Sequence, residues 1–138
     1  KLKQQPGWKK VDYYGVLLYI EVLHLYQQAK IGIAIHDYTP NVGGKEGSLG
    51  ILKNFEFMAA GLPIICTDFR VWKKIIEEEE CGICVAPYDS EGLASAIRYL
   101  LDNPEIATRM GENGRKAVLE KYCWSSEEKK LVTLYNSL

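Results

Sequence analysis

An α/β fold, a parallel sheet flanked by helices, is predicted by three features of this 138-residue chain. Short apolar runs of strand length recur at 31–35, 64–67 and 82–85, with a weaker one at 11–14 closed by Gly15. Stretches with apolar residues at helical spacing separate them, and strands that alternate with helices favour parallel pairing. The run 31–35 is continuously apolar around one embedded glycine, as expected of a sheet covered on both faces. Four strands are therefore expected.

Taken in order, residues 1–10 are polar and broken by Pro6-Gly7, which predicts a short helical remnant and a turn. Residues 18–29 carry Leu18, Val22, Leu25, Tyr26 and Ala29 at helical spacing. His24 in this helix has no partner motif and reads as a surface or packing residue. After the strand at 31–35 comes His36-Asp37-Tyr38-Thr39-Pro40-Asn41. Ligands bind beyond the C-terminal ends of such strands, yet a solvated loop is the simpler reading of His36. The loop runs on, long and polar, to residue 50, a kind that often carries function.

The helix expected at 51–60 places Ile51, Leu52, Phe55, Met58 and Ala59 on one apolar face. Gly61 ends it by taking the left-handed conformation, and Pro63 bars its return before the next strand. In the helix at 71–80, Trp72, Ile75 and Ile76 point inward. Its final run Glu77 to Glu80 reads as a solvated face. Asp89 supplies an N-cap to a helix whose face is Leu93, Ala94, Ile97, Leu100 and Leu101. Asn103 caps another, with Pro104 at the favoured first position. Gly111 and Gly114 are expected to loosen that helix before it resumes at 115–122. Ser125 or Ser126 then caps a last helix with Leu131, Leu134 and Tyr135 inward.

Composition narrows the function. The chain is one domain at most, and 47% hydrophobic against 25% charged residues is enough for a real core. A net charge of -1 argues against a nucleic-acid partner held through phosphates. No apolar run approaches the roughly 20 residues of a membrane span. At most peripheral membrane association is expected. Cys81 and Cys84 have the spacing of a redox pair or half a zinc site, but Cys66 and Cys123 supply no second pair. As residues of a strand, Cys81 and Cys84 are expected on opposite faces. Four free thiols suit a reducing cytoplasm.

Lys53 and Glu56 interrupt the apolar helix at 51–60. Three apart, they share a face. A surface salt bridge is one reading, although lysine before glutamate is the poorer order and a first-turn lysine opposes the helix dipole. The other reading is an anion site with a diol acceptor. A glycine-rich loop, a lysine and free N–H groups at a helix start suit phosphate. A carboxylate one turn deeper accepts hydrogen bonds from two sugar hydroxyls. The residues alone leave both open.

The run Lys53-Asn-Phe-Glu56-Phe-Met-Ala-Ala-Gly-Leu-Pro-Ile-Ile resembles the donor-site signature of family-four retaining glycosyltransferases, where many members read Lys-x-Phe-Glu-Tyr-Met-Ala-Ala-Gly-x-Pro-Val-Ile. The similarity continues through Asp68-Phe69-Arg70-Val71-Trp72, Cys81-Gly82-Ile83-Cys84-Val85-Ala86-Pro87, Asn103-Pro104-Glu105 and Met110-Gly111-Glu112-Asn113-Gly114-Arg115. Upstream, Tyr14-Gly15 and Leu25-Tyr26-Gln27-Gln28-Ala29 also fit. The resemblance implies a GT-B fold, of which residues 1–138 would be an incomplete C-terminal, Rossmann-like donor-binding domain. The acceptor domain and two strand–helix units, with a diphosphate-binding Arg/Lys pair, would lie outside this chain.

The implied function is transfer of a sugar from a UDP- or GDP-linked donor to a glycan or glycolipid acceptor, with retention and without a metal or other cofactor. In that scheme Glu56 bonds the ribose, Lys53 lies beside the donor phosphates, and the backbone of Gly47, Ser48, Leu49 and Leu52 faces the diphosphate or sugar. One departure stands out. Many members carry a sugar-contacting glutamate eight residues before the second; here that position is Ser48, and Glu46 is the nearest acid. No general base is identified. The alternatives are a non-catalytic nucleotide-binding or interaction module, favoured by that departure, and another GT-B activity such as a nucleotide-sugar epimerase. A phosphorylase would need a cofactor lysine motif that the sequence lacks.

Overall fold

The computed structural model describes residues 2–138. Its centre is a three-stranded parallel sheet in sequence order, β1 (Gly32–Ala34), β2 (Ile64–Thr67) and β3 (Gly82–Val85). Ile64 pairs with Gly32 on one side and Gly82 on the other, and Cys66 with Ala34 and Cys84. Six α-helices surround or extend from it: α1 (Tyr19–Gln28), α2 (Leu52–Ala59), α3 (Arg70–Glu78), α4 (Ser90–Asp102), α5 (Pro104–Glu120) and α6 (Trp124–Asn136). Every residue of β2 is buried, which is why its sequence is apolar without alternation.

The two sheet faces carry separate cores. On one, Ile64 and Cys66 meet Met58, Phe57, Trp72 and Ile76 from α2 and α3. On the other, Ile65 and Val85 meet Ala96 and Leu100 from α4. Trp72, Met58 and Ile64 are wholly enclosed, and each such side chain stabilises the fold by about 1.5–3 kcal/mol. Inward Trp72, Ile75 and Ile76 agree with the sequence reading. So do the Asp89 cap, which accepts the Gly92 N–H at 2.8 Å, and the left-handed Gly61 at φ 74°.

Several expectations are corrected. Residues 11–14 form no strand; Val11, Tyr13 and Tyr14 are about half to two-thirds exposed and pair with nothing in the sheet. The described sheet therefore has three strands, not four. A strand exists only where a neighbour takes its hydrogen bonds, and local sequence does not supply one.

The buried face of α2 is rotated from the expected one. Leu52 and Ala59 are exposed, while Asn54, Phe57 and Met58 are buried. Gly32 is the reason: a Cβ there would lie 2.3 Å from Phe57 Cγ, so the missing side chain makes room for that ring. A similar approach keeps α5 continuous through its glycines. At Gly111 a Cβ would sit 2.0 Å from the Gly61 carbonyl oxygen, so glycine here allows close packing rather than loosening the helix.

Asn103 does not cap α5 with its side chain. Its Nδ2 instead donates to the Tyr99 carbonyl at the end of α4, at 2.8 Å. The last helix starts at Trp124, so Ser125 and Ser126 lie inside it. Its expected inward residues are outward: Leu131, Leu134 and Tyr135 are 44%, 58% and 69% exposed. No residue of α6 is buried, because no described element covers that face. Cys81 lies in the turn before β3 and joins the same core as Cys84, not the opposite face. All four cysteines are free thiols.

Tyr88 has φ of 66°. For a residue with a side chain that conformation costs about 1–2 kcal/mol.

Candidate functional site

Because β1 and β2 are parallel, the intervening α2 runs in the opposite direction and its first turn lies toward the C-terminal ends of the strands. That is the end where open α/β sheets bind ligands. The loop before α2 is pinned to α3. The Arg70 and Val71 N–H groups donate to the Lys45 and Glu46 carbonyls at 3.1 and 3.0 Å, and Trp72 Nε1 donates to the Ser48 carbonyl at 3.0 Å. Ser48 Oγ accepts the Gly50 N–H at 3.0 Å. Gly47, at φ 81°, presses against the Phe69 side chain.

Lys53 and Glu56 meet at 2.7 Å. They are neither sealed in the core nor fully solvated, with side chains 47% and 31% exposed. Tyr26, from α1, completes a triad: its hydroxyl donates to Glu56 Oε2 at 2.7 Å, and Lys53 Nζ donates to Tyr26 Oη at 3.0 Å. Burial pushes the Glu56 carboxyl up, but the bonds from Lys53 and Tyr26 outweigh it and hold the group below its ordinary range. The same bonds from Glu56 and Tyr26 push the Lys53 ammonium up. Both charges of Glu56 and Lys53 are thus maintained near neutral pH. Both hydrogen bonds to Glu56 end on Oε2, and Oε1 has no partner among the described residues.

The triad borders a groove of about 440 Å³ between α1 and α2, lined in part by Tyr19, Leu23, Tyr26, Leu52 and Ala59. Leu52, expected in the core, is a wall of this groove. Between Lys53 and Glu56 in sequence, Asn54 is 1% exposed and turned into the fold, and its Oδ1 has no partner among the described residues.

The sequence-predicted residues do not all converge. Glu46 faces α3, its carboxylate 3.3 Å from Arg70 Nη1, whereas Glu56 faces α1. Ser48 is engaged with its own loop, and Leu49 is 49% exposed beside it. Tyr26 was legible only as an apolar helix residue, since its partners lie 27 and 30 positions away.

A second polar cluster lies at the strand exits. Thr67 Oγ1 accepts the His36 N–H at 2.7 Å and donates to the His36 carbonyl at 2.8 Å. The Tyr38 hydroxyl donates to Asp68, and this bond pushes the phenol up to about 12. His36 is exposed, as a loop residue. A separate cavity of about 530 Å³ includes Lys30, Ile31, Pro63 and Arg115. These residues precede β1 and β2 or lie on α5, so it opens at the other end of the sheet. No group of three His, Cys, Asp or Glu side chains among the described residues is placed to hold a metal ion. No described helix is long and apolar enough to cross a membrane.

Comparison with known proteins is consistent across sequence and structure. A family model described as "Glycosyl transferases group 1" matches residues 2–117. The chain is 33% identical over 99 residues to a phosphatidyl-myo-inositol mannosyltransferase of Mycobacterium leprae, covering 72% of this chain and 25% of that protein. It is 32% identical over 83 residues to an alpha-D-kanosaminyltransferase of Streptomyces kanamyceticus, covering 60% and 22%. Among solved structures, sucrose-phosphate synthase from Thermosynechococcus elongatus superposes with a TM-score of 0.75 at 26% identity, over 94% of this chain and 30% of that one. The chain thus spans 20–25% of the length of the first curated relatives it matches.

Proposed function

The chain belongs to the group 1 glycosyl transferases, and from that premise we propose that it binds the nucleotide-sugar donor of a retaining glycosyltransferase. The observation that carries this reading is the charged triad at the start of α2. Glu56 keeps a free Oε1 beside an open groove, and a carboxylate so placed accepts a ribose hydroxyl without breaking its bonds to Tyr26 and Lys53. Tyr26 then acts as a positioning residue that holds Glu56 toward the groove.

Lys53 and the N–H groups of the first turn of α2 put positive potential where a diphosphate would lie. During transfer the bond from the anomeric carbon to the phosphate oxygen breaks and its electron pair leaves with the diphosphate. The acceptor oxygen bonds to the same face of that carbon and passes its proton to the departing diphosphate oxygen. Stabilising the leaving diphosphate is the task these groups perform, and it needs no metal. The acceptor, a glycan or glycolipid, falls to parts of the enzyme outside this quarter. The nucleotide is UDP or GDP.

The test is a titration of UDP and GDP against the chain and against Glu56→Gln. The expected loss is about 1–3 kcal/mol of binding, the range of a charge-assisted hydrogen bond, with a small change in Tm at neutral pH. A large drop in Tm with nucleotide affinity intact would reduce Glu56 to a structural role and end the donor-site reading.

A further inference from the structure

Tyr88 occupies a position that suits a different residue. The turn at 86–89 has Pro87 second and is closed by the Asp89 N–H, which donates to the Ala86 carbonyl at 3.3 Å. Third comes Tyr88 at φ 66°, where this type of turn ordinarily takes glycine. An aromatic ring that is 84% exposed offsets little of that strain by burial. Its hydroxyl donates to Asp37 Oδ2 at 2.5 Å. Since Asp37 follows β1 and Tyr88 follows β3, the bond crosses the C-terminal end of β2.

Beside this clasp lies a concavity of about 210 Å³, with Ile35, Val85 and Leu93 as apolar surface and Asp89 and Ser90 as polar groups. Its lining includes no lysine or arginine. An acidic, cation-free rim disfavours phosphate. An exposed aromatic face next to a carboxylate and a hydroxyl, over an apolar floor, suits an uncharged ring with C–H faces and hydroxyl edges. Strain at an exposed residue is characteristic of functional sites.

We infer that Tyr88 and Asp37 form a subsite for an uncharged pyranose. It lies on the α4 side of the sheet, apart from the Lys53–Glu56 groove, and does not depend on the donor reading. The sugar ring stacks on Tyr88, one hydroxyl donates to Asp37, and the concavity receives the apolar edge.

The test is an amide NMR titration of the chain with methyl α-D-mannopyranoside and methyl α-D-glucopyranoside, with inorganic phosphate as control. At least one glycoside is expected to produce saturable shifts at residues 35–38 and 86–90, and phosphate none. Tyr88→Gly is expected to weaken that binding by about tenfold or more while Tm holds or rises, because glycine relieves the turn. Tyr88→Phe, which keeps the ring, loses less. Nucleotide-induced shifts at residues 53–56 are expected to survive in both variants, so failure here is separable from failure of the donor site. Absence of saturable shifts with either glycoside, equal affinity in Tyr88→Gly, or phosphate shifting the same residues would each overturn the subsite.

Discussion

Glu56 is a carboxylate whose burial favours the neutral form and whose hydrogen bonds from Lys53 and Tyr26 favour the charged one; the bonds prevail. Its folded pKa lies below the unfolded value of about 4.3. The resulting stabilisation is therefore fully present above the unfolded pKa and disappears as pH falls through the folded one. Lys53 has the opposite sign: raised in the fold, its contribution is present at neutral pH and lost in strong alkali. Wild type is expected to hold a small Tm advantage over Glu56→Gln at neutral pH that closes below about pH 4. Melting curves across pH check this, and an advantage independent of pH would show that the triad does not hold the charge. Sequence showed that Lys53 and Glu56 share a helix face, because three-residue spacing is a local property. It did not show Tyr26 between them, because that contact joins two helices.

At the scale of elements, glycine pattern and helix packing are one subject. Gly111 and Gly114 sit inside α5, both buried, and read locally as weak points. In three dimensions Gly111 lies against the Gly61 carbonyl, while a Cβ added at Gly114 would lie 3.3 and 3.4 Å from the Cys81 and Met58 side chains. The two are expected to respond differently to alanine. Gly111→Ala has backbone in its way and is expected to lose about 1–3 kcal/mol to overpacking. Gly114→Ala meets side chains that need shift only slightly, and it gains helix propensity of up to about 1 kcal/mol. Urea unfolding of the two variants measures the difference; equal losses would mean that the α5 contact at Gly61 is not tight. The rotated face of α2 has the same origin. Spacing places Phe55, not Phe57, on the expected face, and Gly32 on the strand beneath makes room for the Phe57 ring, so Phe57 is buried while Phe55 is only partly covered.

Across the whole molecule, burial is uneven. The core is concentrated on β2, α2 and α3, with Ile64, Ile65, Met58 and Trp72 fully enclosed, whereas α1 and α6 contain no buried residue. Local opening is cheapest where few apolar contacts are lost. In native-state hydrogen exchange, amides of α6 are expected to exchange orders of magnitude faster than those of β2. Comparable protection in both would mean that α6 is held by contacts its exposure does not reveal. Sequence alone determined the α/β class, the three paired strands, the Asp89 and Gly61 helix ends, and the helix that carries Lys53 and Glu56. Each depends on spacing or on backbone preference within a few residues. Only the tertiary structure decided that 11–14 stays unpaired, that Leu52 lines a groove, that Glu46 turns to Arg70, and that Tyr88 reaches Asp37. Those outcomes depend on what lies opposite a residue in space, and a linear pattern carries no information about a partner fifty positions away.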